Sequence, residues 1–416
     1  MNLIYMQNKG SIFWLTTQFP KEENNRSGMF IYRTVKELSK YYPITVLCLY
    51  PLTPPIISMA KNFRNYKGII KRWIKLNPLQ PVKPDKSDKF DVIYIKYFRP
   101  PRGKFSFLEG YFAFIAVKKK MKHLLEPGNI LLHANWLFPA GKTAELLSKK
   151  FNLPYIITLR GSDVNYLKRN SYNYKSTASI LENSSKVTSV SEALLEKCEN
   201  LNLLVNNKKA VTHNFYDIDK FTIKDKEKAR EYVGLDNKSK MLFFAGGLTE
   251  NKNVDVLIKS IHQLCAEGYD LQLYIAGTGN EENFLKNLAA EKKISDRVFF
   301  TGSLSPEELI EYYNAADLFC LVSKYEGLPN VIVESLLCGT PVVASSVGEI
   351  PCLIKEGING FLVEPNSISS LSEKIKESLL LNWDRNALRE SMSFLFTENV
   401  LNEYKKLYGE FDFFVN

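Results

Sequence analysis

Apolar residues fall along the chain in short runs separated by stretches of mixed spacing, a pattern that predicts strands and helices in turn. In the first half, Ile12–Thr16, Ile44–Leu49, Val92–Tyr97, Ile130–His133, Tyr155–Leu159 and Val187–Val190 read as strands. Several are apolar on both faces, as strands covered by helices on both sides must be. Helices are predicted near Met29–Lys40, Gly110–Leu125 and Ala140–Phe151. The rhythm restarts after about residue 215. Strands are expected at Met241–Ala245, Leu271–Ala276, Val298–Phe300, Leu318–Val322 and Pro341–Ala344, and helices at Val254–Glu267, Glu281–Lys292, Pro306–Asn314, Asn330–Leu337 and Ser367–Leu380. Ser305-Pro306-Glu307-Glu308 has the chemistry of a helix start: a Ser cap, Pro in the first turn, and acids at the positive end of the dipole. This alternation is the signature of parallel-sheet α/β architecture. A chain of 416 residues exceeds one compact core, so two such domains are expected, joined by the polar stretch Asn214–Asp225.

Residues 51–90 break the rhythm. Six prolines interrupt them, and between the prolines Lys61–Leu76 carries six Lys and Arg among apolar or neutral residues. We read it as an insertion with a basic helix, either a solvated surface helix or a membrane-surface element. Charge is unevenly spread. Residues 1–210 hold 34 Lys+Arg against 14 Asp+Glu, and residues 211–416 hold 21 against 31. The first half is therefore expected to face an anionic partner. Lys118–Lys122 behind the apolar Tyr111–Ile115 is a second candidate for a membrane-facing element, although a core helix with a solvated end is the commoner arrangement.

The six cysteines make no CxxC pair and sit in or beside apolar stretches, consistent with reduced core thiols in a cytoplasmic protein. The four histidines show no metal spacing. The N-terminal segment does not read as a signal peptide, and the apolar runs are far short of a membrane span. The expectation is a cytoplasmic protein, peripheral at most on the inner membrane face. Asp217-Ile218-Asp219 resembles a metal-binding DxD but falls in the inter-domain loop. Gly277-Thr278-Gly279 resembles a dinucleotide fingerprint, but Glu282 holds the place of the third glycine. Close packing of strand on helix explains that pair of glycines. No nucleic-acid module accompanies the basic half.

The strongest constellation is Tyr325-Glu326-Gly327-Leu328-Pro329-Asn330-Val331-Ile332-Val333-Glu334, which sets two carboxylates eight positions apart after a predicted strand. A helix opening there offers free backbone N–H groups and a positive dipole end, the elements of an anion site. A diphosphate at the helix mouth, with one acid towards a sugar and one towards a ribose, uses all these parts.

Here the chain resembles glycosyltransferase family 4, retaining enzymes of GT-B fold. The resemblance rests on FFAGGLTENKNVDVLI, LYIAGTGNEENFL, VFFTGSLSPEEL, the long segment from YYNAADLF to VGEIP, and GINGFLVEP. Weaker matches in the first half are FPKEENNRSGMFIYRTVKEL, HANWLFPAGKTAELL, PYIITLRGSDV and VSEALLEKC. Their wording is similar to bacterial members that build teichuronic acid, capsule and exopolysaccharide. The resemblance implies two doubly wound Rossmann-like domains facing a central cleft: an acceptor-side domain 1–214, and a nucleotide-sugar-binding domain 215–397. It also implies that 398–416 returns to the first. Glu326 then contacts the donor sugar, Glu334 the ribose and Lys252 the diphosphate. Gly28, Gly246, Gly247, Gly327, Leu328 and Asn330 line the donor, and Gly302 to Leu304 receive the base. No metal and no cofactor are implied, the nucleotide sugar being a substrate. A lipid-linked or glycan acceptor is the expected partner, beside an anionic membrane and without nucleic acid.

The chain departs from the family pattern at three places. Arg160-Gly161 stands for the usual His-Gly, Gly247 for an arginine five residues before the lysine, and Asn214-Phe215 for Asn-Gly. Arg160, grouped with Asp163 and Glu326 as the candidate catalytic residues, either replaces phosphate charge lost at Gly247 or is a structural arginine paired with Asp163. Two further readings stay open: a GT-B binding protein with impaired catalysis, and another GT-B enzyme such as a nucleotide-sugar epimerase.

Overall fold

The computed structural model describes residues 10–20, 28–52, 88–99, 108–121, 129–165, 167, 169, 171–204, 208–235 and 239–412. The basic segment Lys61–Leu76 and Lys122 lie outside these residues. The chain forms two compact units, Met1–Tyr216 with Val400–Asn416, and Asp217–Asn399.

The first unit is built on a seven-stranded parallel sheet. Its strands are β1 (Ser11–Thr16), β2 (Ile44–Leu52), β3 (Phe90–Phe98), β4 (Ile130–Asn135), β5 (Tyr155–Leu159), β6 (Lys186–Ser189) and β7 (Lys209–Val211), in the order β3-β2-β1-β4-β5-β6-β7. The chain winds outwards from β1 to one edge, then returns to β4 and winds to the other. β1 pairs with β4 in parallel register, Trp14 opposite His133. Burial of both sheet faces explains the unbroken apolar runs: every residue of β4 and β5 is buried.

Two apolar clusters cover those faces. One contains the last helix, Thr397–Tyr408, which buries Val400, Leu401, Tyr404, Leu407 and Tyr408 against Ile12, Trp14 and Leu131. Each such burial contributes roughly 1.5–3 kcal/mol, so this helix is part of the first unit's core. Tyr408 is also tied by its hydroxyl to His133 Nδ1 at 2.8 Å.

The second unit repeats the plan with six parallel strands: β8 (Lys240–Ala245), β9 (Leu271–Ala276), β10 (Val298–Gly302), β11 (Leu318–Leu321), β12 (Val342–Ser345) and β13 (Gly360–Val363). Their order is β10-β9-β8-β11-β12-β13. The helix Pro306–Ala315 opens with the full capping box, Ser305 and Glu308 satisfying each other's backbone N–H groups. The predicted strands and helices are present, with shifted ends. The helix expected from Ala140 starts at Lys142, behind a single wide turn at Leu137–Gly141. Strands β7 and β13, three and four residues long, were not expected.

Candidate active site

In an open parallel sheet, ligands bind beyond the carboxyl ends of the two neighbouring strands from which the winding diverges. In the second unit these strands are β8 and β11. The loop after β8 runs through Gly246 and Gly247 to a short turn, Glu250–Lys252. The loop after β11 runs from Ser323 to Pro329 and enters the helix Asn330–Leu337. The two loops are stitched together: the Lys324 N–H donates to Asn251 O at 2.8 Å, and Asn251 Nδ2 donates to Tyr325 O at 2.9 Å. The stitching brings Lys252 Nζ onto the Glu326 carboxylate. Ser323 Oγ donates to the same oxygen at 2.6 Å. Lys252 and Glu326, 74 residues apart in sequence, thus form one half-buried ion pair.

The helix Asn330–Leu337 opens with Pro329 at its cap position and no side chain capping the first turn. Its leading amides are positioned to receive an anion. Glu334 lies one turn in, and Tyr313, fully buried, donates its hydroxyl to Glu334 Oε2 at 3.1 Å. The buried phenol fixes the direction of that carboxylate. Gly302 ends β10 with φ 72° and has open space where a side chain would be, and Leu304 beyond it is almost fully buried. Gly327 and Leu328 lie between the two acids.

Gly348 is a residue the sequence did not single out. A Cβ there would lie 1.9 Å from the carbonyl oxygen of Glu326, and its φ is 56°. The Glu349 N–H donates to Gly327 O at 3.3 Å. The loop after β12 is therefore the backing that holds Glu326 and Gly327 in place. Gly277 and Gly279 have a comparable cause, which corrects the expectation of strand–helix packing. A Cβ on either would strike the backbone oxygens of Gly246 and Leu248, at 1.9 Å and 2.1 Å, so these glycines let two loops touch. At Gly247 itself the nearest atom to an added Cβ is Thr278 O at 3.9 Å, leaving room for a side chain.

In the first unit the winding diverges between β1 and β4. Beyond β1 lies Gly28, which starts the helix Met29–Leu38 in a left-handed conformation, φ 82°; a Cβ would meet Phe19 N at 2.7 Å. β4 ends at Asn135, and beyond it lies Trp136 at φ 69° and ψ 147°, a costly backbone for a non-glycine residue. Beyond β5 lies Arg160. Its guanidinium donates from Nε to Asn135 Oδ1 at 2.9 Å, from a terminal nitrogen to the same oxygen, and from the other to Asn214 Oδ1. It also lies 5.4 Å from the ring centroid of Phe30.

The predicted pairing of Arg160 with Asp163 is not a side-chain ion pair. Asp163 accepts instead from the Arg160 N–H at 3.1 Å and the Leu137 N–H at 3.2 Å, closing the turn into the short helix Ser162–Asn165. Burial holds the Asp163 carboxyl above the usual carboxylate range and the Arg160 guanidinium below its usual value. Gly28, Arg160 and Asp163 belong to the first unit and the other candidates to the second.

Asp217-Ile218-Asp219 is a turn whose Ile218 carbonyl accepts from Arg389 at 2.8 Å. Among the described residues no cluster of His, Cys, Asp or Glu could hold a metal ion. Among the same residues no helix is long and apolar enough to cross a membrane.

Residues 225–393 match the family model of glycosyl transferases group 1. The putative teichuronic acid biosynthesis glycosyltransferase TuaC of Bacillus subtilis is 26% identical over 370 residues, 88% of each chain. Sucrose-phosphate synthase from Thermosynechococcus elongatus superposes with a TM-score of 0.72 at 20% identity, covering 97% of this chain and 99% of that one. The Anabaena protein Alr3699/HepE in complex with UDP-glucose superposes with a TM-score of 0.62 at 16% identity, over 96% of this chain and 98% of that one.

Proposed function

The chain is a glycosyltransferase of the GT-B fold, and we propose that it is a retaining one, moving a sugar from a nucleotide-sugar donor to a lipid-linked or polysaccharide acceptor of the cell envelope. The observation that carries the reading is the Lys252–Glu326 pair at the divergence of β8 and β11, beside an uncapped helix.

The chemistry follows from charge. The anomeric C–O bond to the diphosphate breaks, and its electron pair leaves with the phosphate oxygen. Negative charge grows there, and Lys252 with the amides after Pro329 is already oriented to meet it. Positive charge grows on the anomeric carbon and ring oxygen, and Glu326 supplies the opposing carboxylate. The acceptor hydroxyl forms the new C–O bond on the same face, and its proton passes to the departing phosphate oxygen. Glu334, aimed by Tyr313, holds the ribose hydroxyls, and Gly302 to Leu304 receive the base. Gly28, Arg160 and Asp163 serve the first unit's share of substrate binding. Charge neutralisation assigned to Lys252 and amides makes the reaction metal-independent, so activity should survive EDTA.

The Bacillus subtilis relative carries teichuronic acid biosynthesis in its name and the Anabaena structure holds UDP-glucose, which supports an envelope-glycan acceptor and makes UDP-sugars the first donors to try. The basic first unit favours work at the anionic inner membrane face, where Ile115, 59% exposed, stands one turn ahead of Lys118–Lys120. Sedimentation with anionic but not neutral vesicles, lost at high salt, is the expected behaviour; equal binding to both would remove the membrane from the proposal. For the reaction itself, the chain is incubated with UDP-, GDP- and ADP-sugars and membrane lipid extract. The reading expects nucleoside diphosphate release from one donor and a product whose anomeric coupling in NMR matches that donor. A product of inverted configuration contradicts it.

A further inference from the structure

In the first unit the winding diverges between β1 and β4, and the ligand position expected beyond their carboxyl ends is flanked by Arg160, the first residue after β5. Arg160 is permanently cationic. Three of its N–H donors go to two asparagine oxygens, both neutral. Among the described residues no carboxylate forms a salt bridge with it, and the nearby Asp163 spends both oxygens on backbone N–H groups. The Tyr404 hydroxyl is a further neutral hydrogen-bonding partner; a guanidinium has five N–H donors, so a terminal donor remains beyond these three residues. The group is half-buried, not sealed in. Asn135, fully buried, gives its oxygen to Arg160 and leaves Nδ2 with no hydrogen-bond partner in the described structure. One face of the guanidinium is braced by Phe30, which in turn meets Trp136 edge to face at 6.0 Å.

A half-buried cation held by neutral partners, with a donor to spare and its direction fixed, is the arrangement that receives a planar or tetrahedral anion. We propose that Arg160 is a specificity residue for an anionic group, a carboxylate or a phosphate, carried by a sugar substrate bound at the first unit's strand ends. Phe30 and the two asparagines set its direction. This rests on the glycosyltransferase reading and narrows its substrate class to acidic or phosphorylated sugars.

The test is isothermal titration of the full chain with matched probes at constant ionic strength. In the presence of UDP, glucose 6-phosphate and glucuronate are each compared with glucose. The expected result is a preference of about tenfold or more for the anionic member of one pair, an effect of the size a charge-assisted bidentate contact gives. The pair that shows it tells whether a phosphate or a carboxylate is the group recognised. Arg160→Gln should abolish the preference. No preference in either pair, or a preference that survives Arg160→Gln, overturns the proposal. Should circular dichroism show that variant unfolded, Arg160→Lys decides: the preference falls severalfold if the two-pronged contact is real, and an unchanged preference overturns it. Failure of UDP itself to bind would count against the donor site on the second unit instead, and the glucose 6-phosphate comparison would still report on Arg160.

Discussion

The two units share one plan and differ in what they place at the same spot. Each is a parallel sheet whose winding diverges between two central strands. At that point the second unit sets an ion pair, Lys252 with Glu326, beside an uncapped helix. The first sets a guanidinium among asparagines and aromatic rings. The topology thus fixes where a ligand can sit, and the few residues at the strand ends fix its charge. On the proposed reading the second unit meets a developing negative charge and a developing positive one together, and the first recognises.

If the second unit is the reacting one, its acid matters most. Glu326→Gln keeps the shape and removes the charge, so kcat should fall by about 10²–10³-fold, with donor affinity nearly unchanged. Steady-state kinetics paired with donor titration measures this, and near-normal turnover in a folded variant would leave the pair a structural feature. Next in size is the backing of that acid. Gly348→Ala drives a Cβ into the Glu326 carbonyl. The resulting shift of an ångström should cost about 10²-fold in kcat/KM and also lower the thermal midpoint, since alanine is strained at a positive φ; unchanged kinetics would mean the loop adapts freely. Smaller again is the ribose side. Tyr313→Phe removes the donor that aims Glu334 and should weaken donor binding about tenfold with kcat held, since a hydrogen bond to a charged group contributes ~1.5 kcal/mol.

The smallest effect separates the units by acid stability. In the first unit, burial and the nearby Arg160 charge push His133 down to about 3, below the ~6.5 of an unfolded histidine. As pH falls, the unfolded chain takes up this proton first. Neutral His133 therefore contributes stability present above about pH 6.5 and lost progressively towards pH 3. The contribution is a few °C in the midpoint between pH 6.5 and 4.5. His133→Gln should make that slope shallower in calorimetry, and an identical slope would assign the acid sensitivity to other groups.

The legible parts were those set by local pattern. Runs such as Phe243–Ala245 and Leu318–Leu321 are apolar on both faces, so central strands announce themselves. The spacing of Glu326 and Glu334 across Pro329 marks a helix mouth without any tertiary information. What stayed hidden depends on contacts between distant segments. Tyr313 reaches Glu334 across 21 residues. Gly348 meets Glu326 only because β11 and β12 are neighbours. Arg160 had a sequence neighbour, Asp163, that looked like its partner. The fold turned the guanidinium instead to Asn135 and Asn214, 25 and 54 residues away, because Asp163 is needed to close the turn after β5. Strand β7 escaped notice because three residues carry too little pattern to be read alone.

The central claim is that the nucleotide sugar is held at the divergence of β8 and β11. Hydrogen exchange with mass spectrometry, on the full chain with and without saturating UDP, tests it most directly. The account predicts slowed exchange in peptides covering residues 246–252, 302–304 and 327–332, with peptides covering 135–141 and 160–165 of the first unit unchanged. UDP bound by titration, with protection confined to the first unit's peptides, would contradict it.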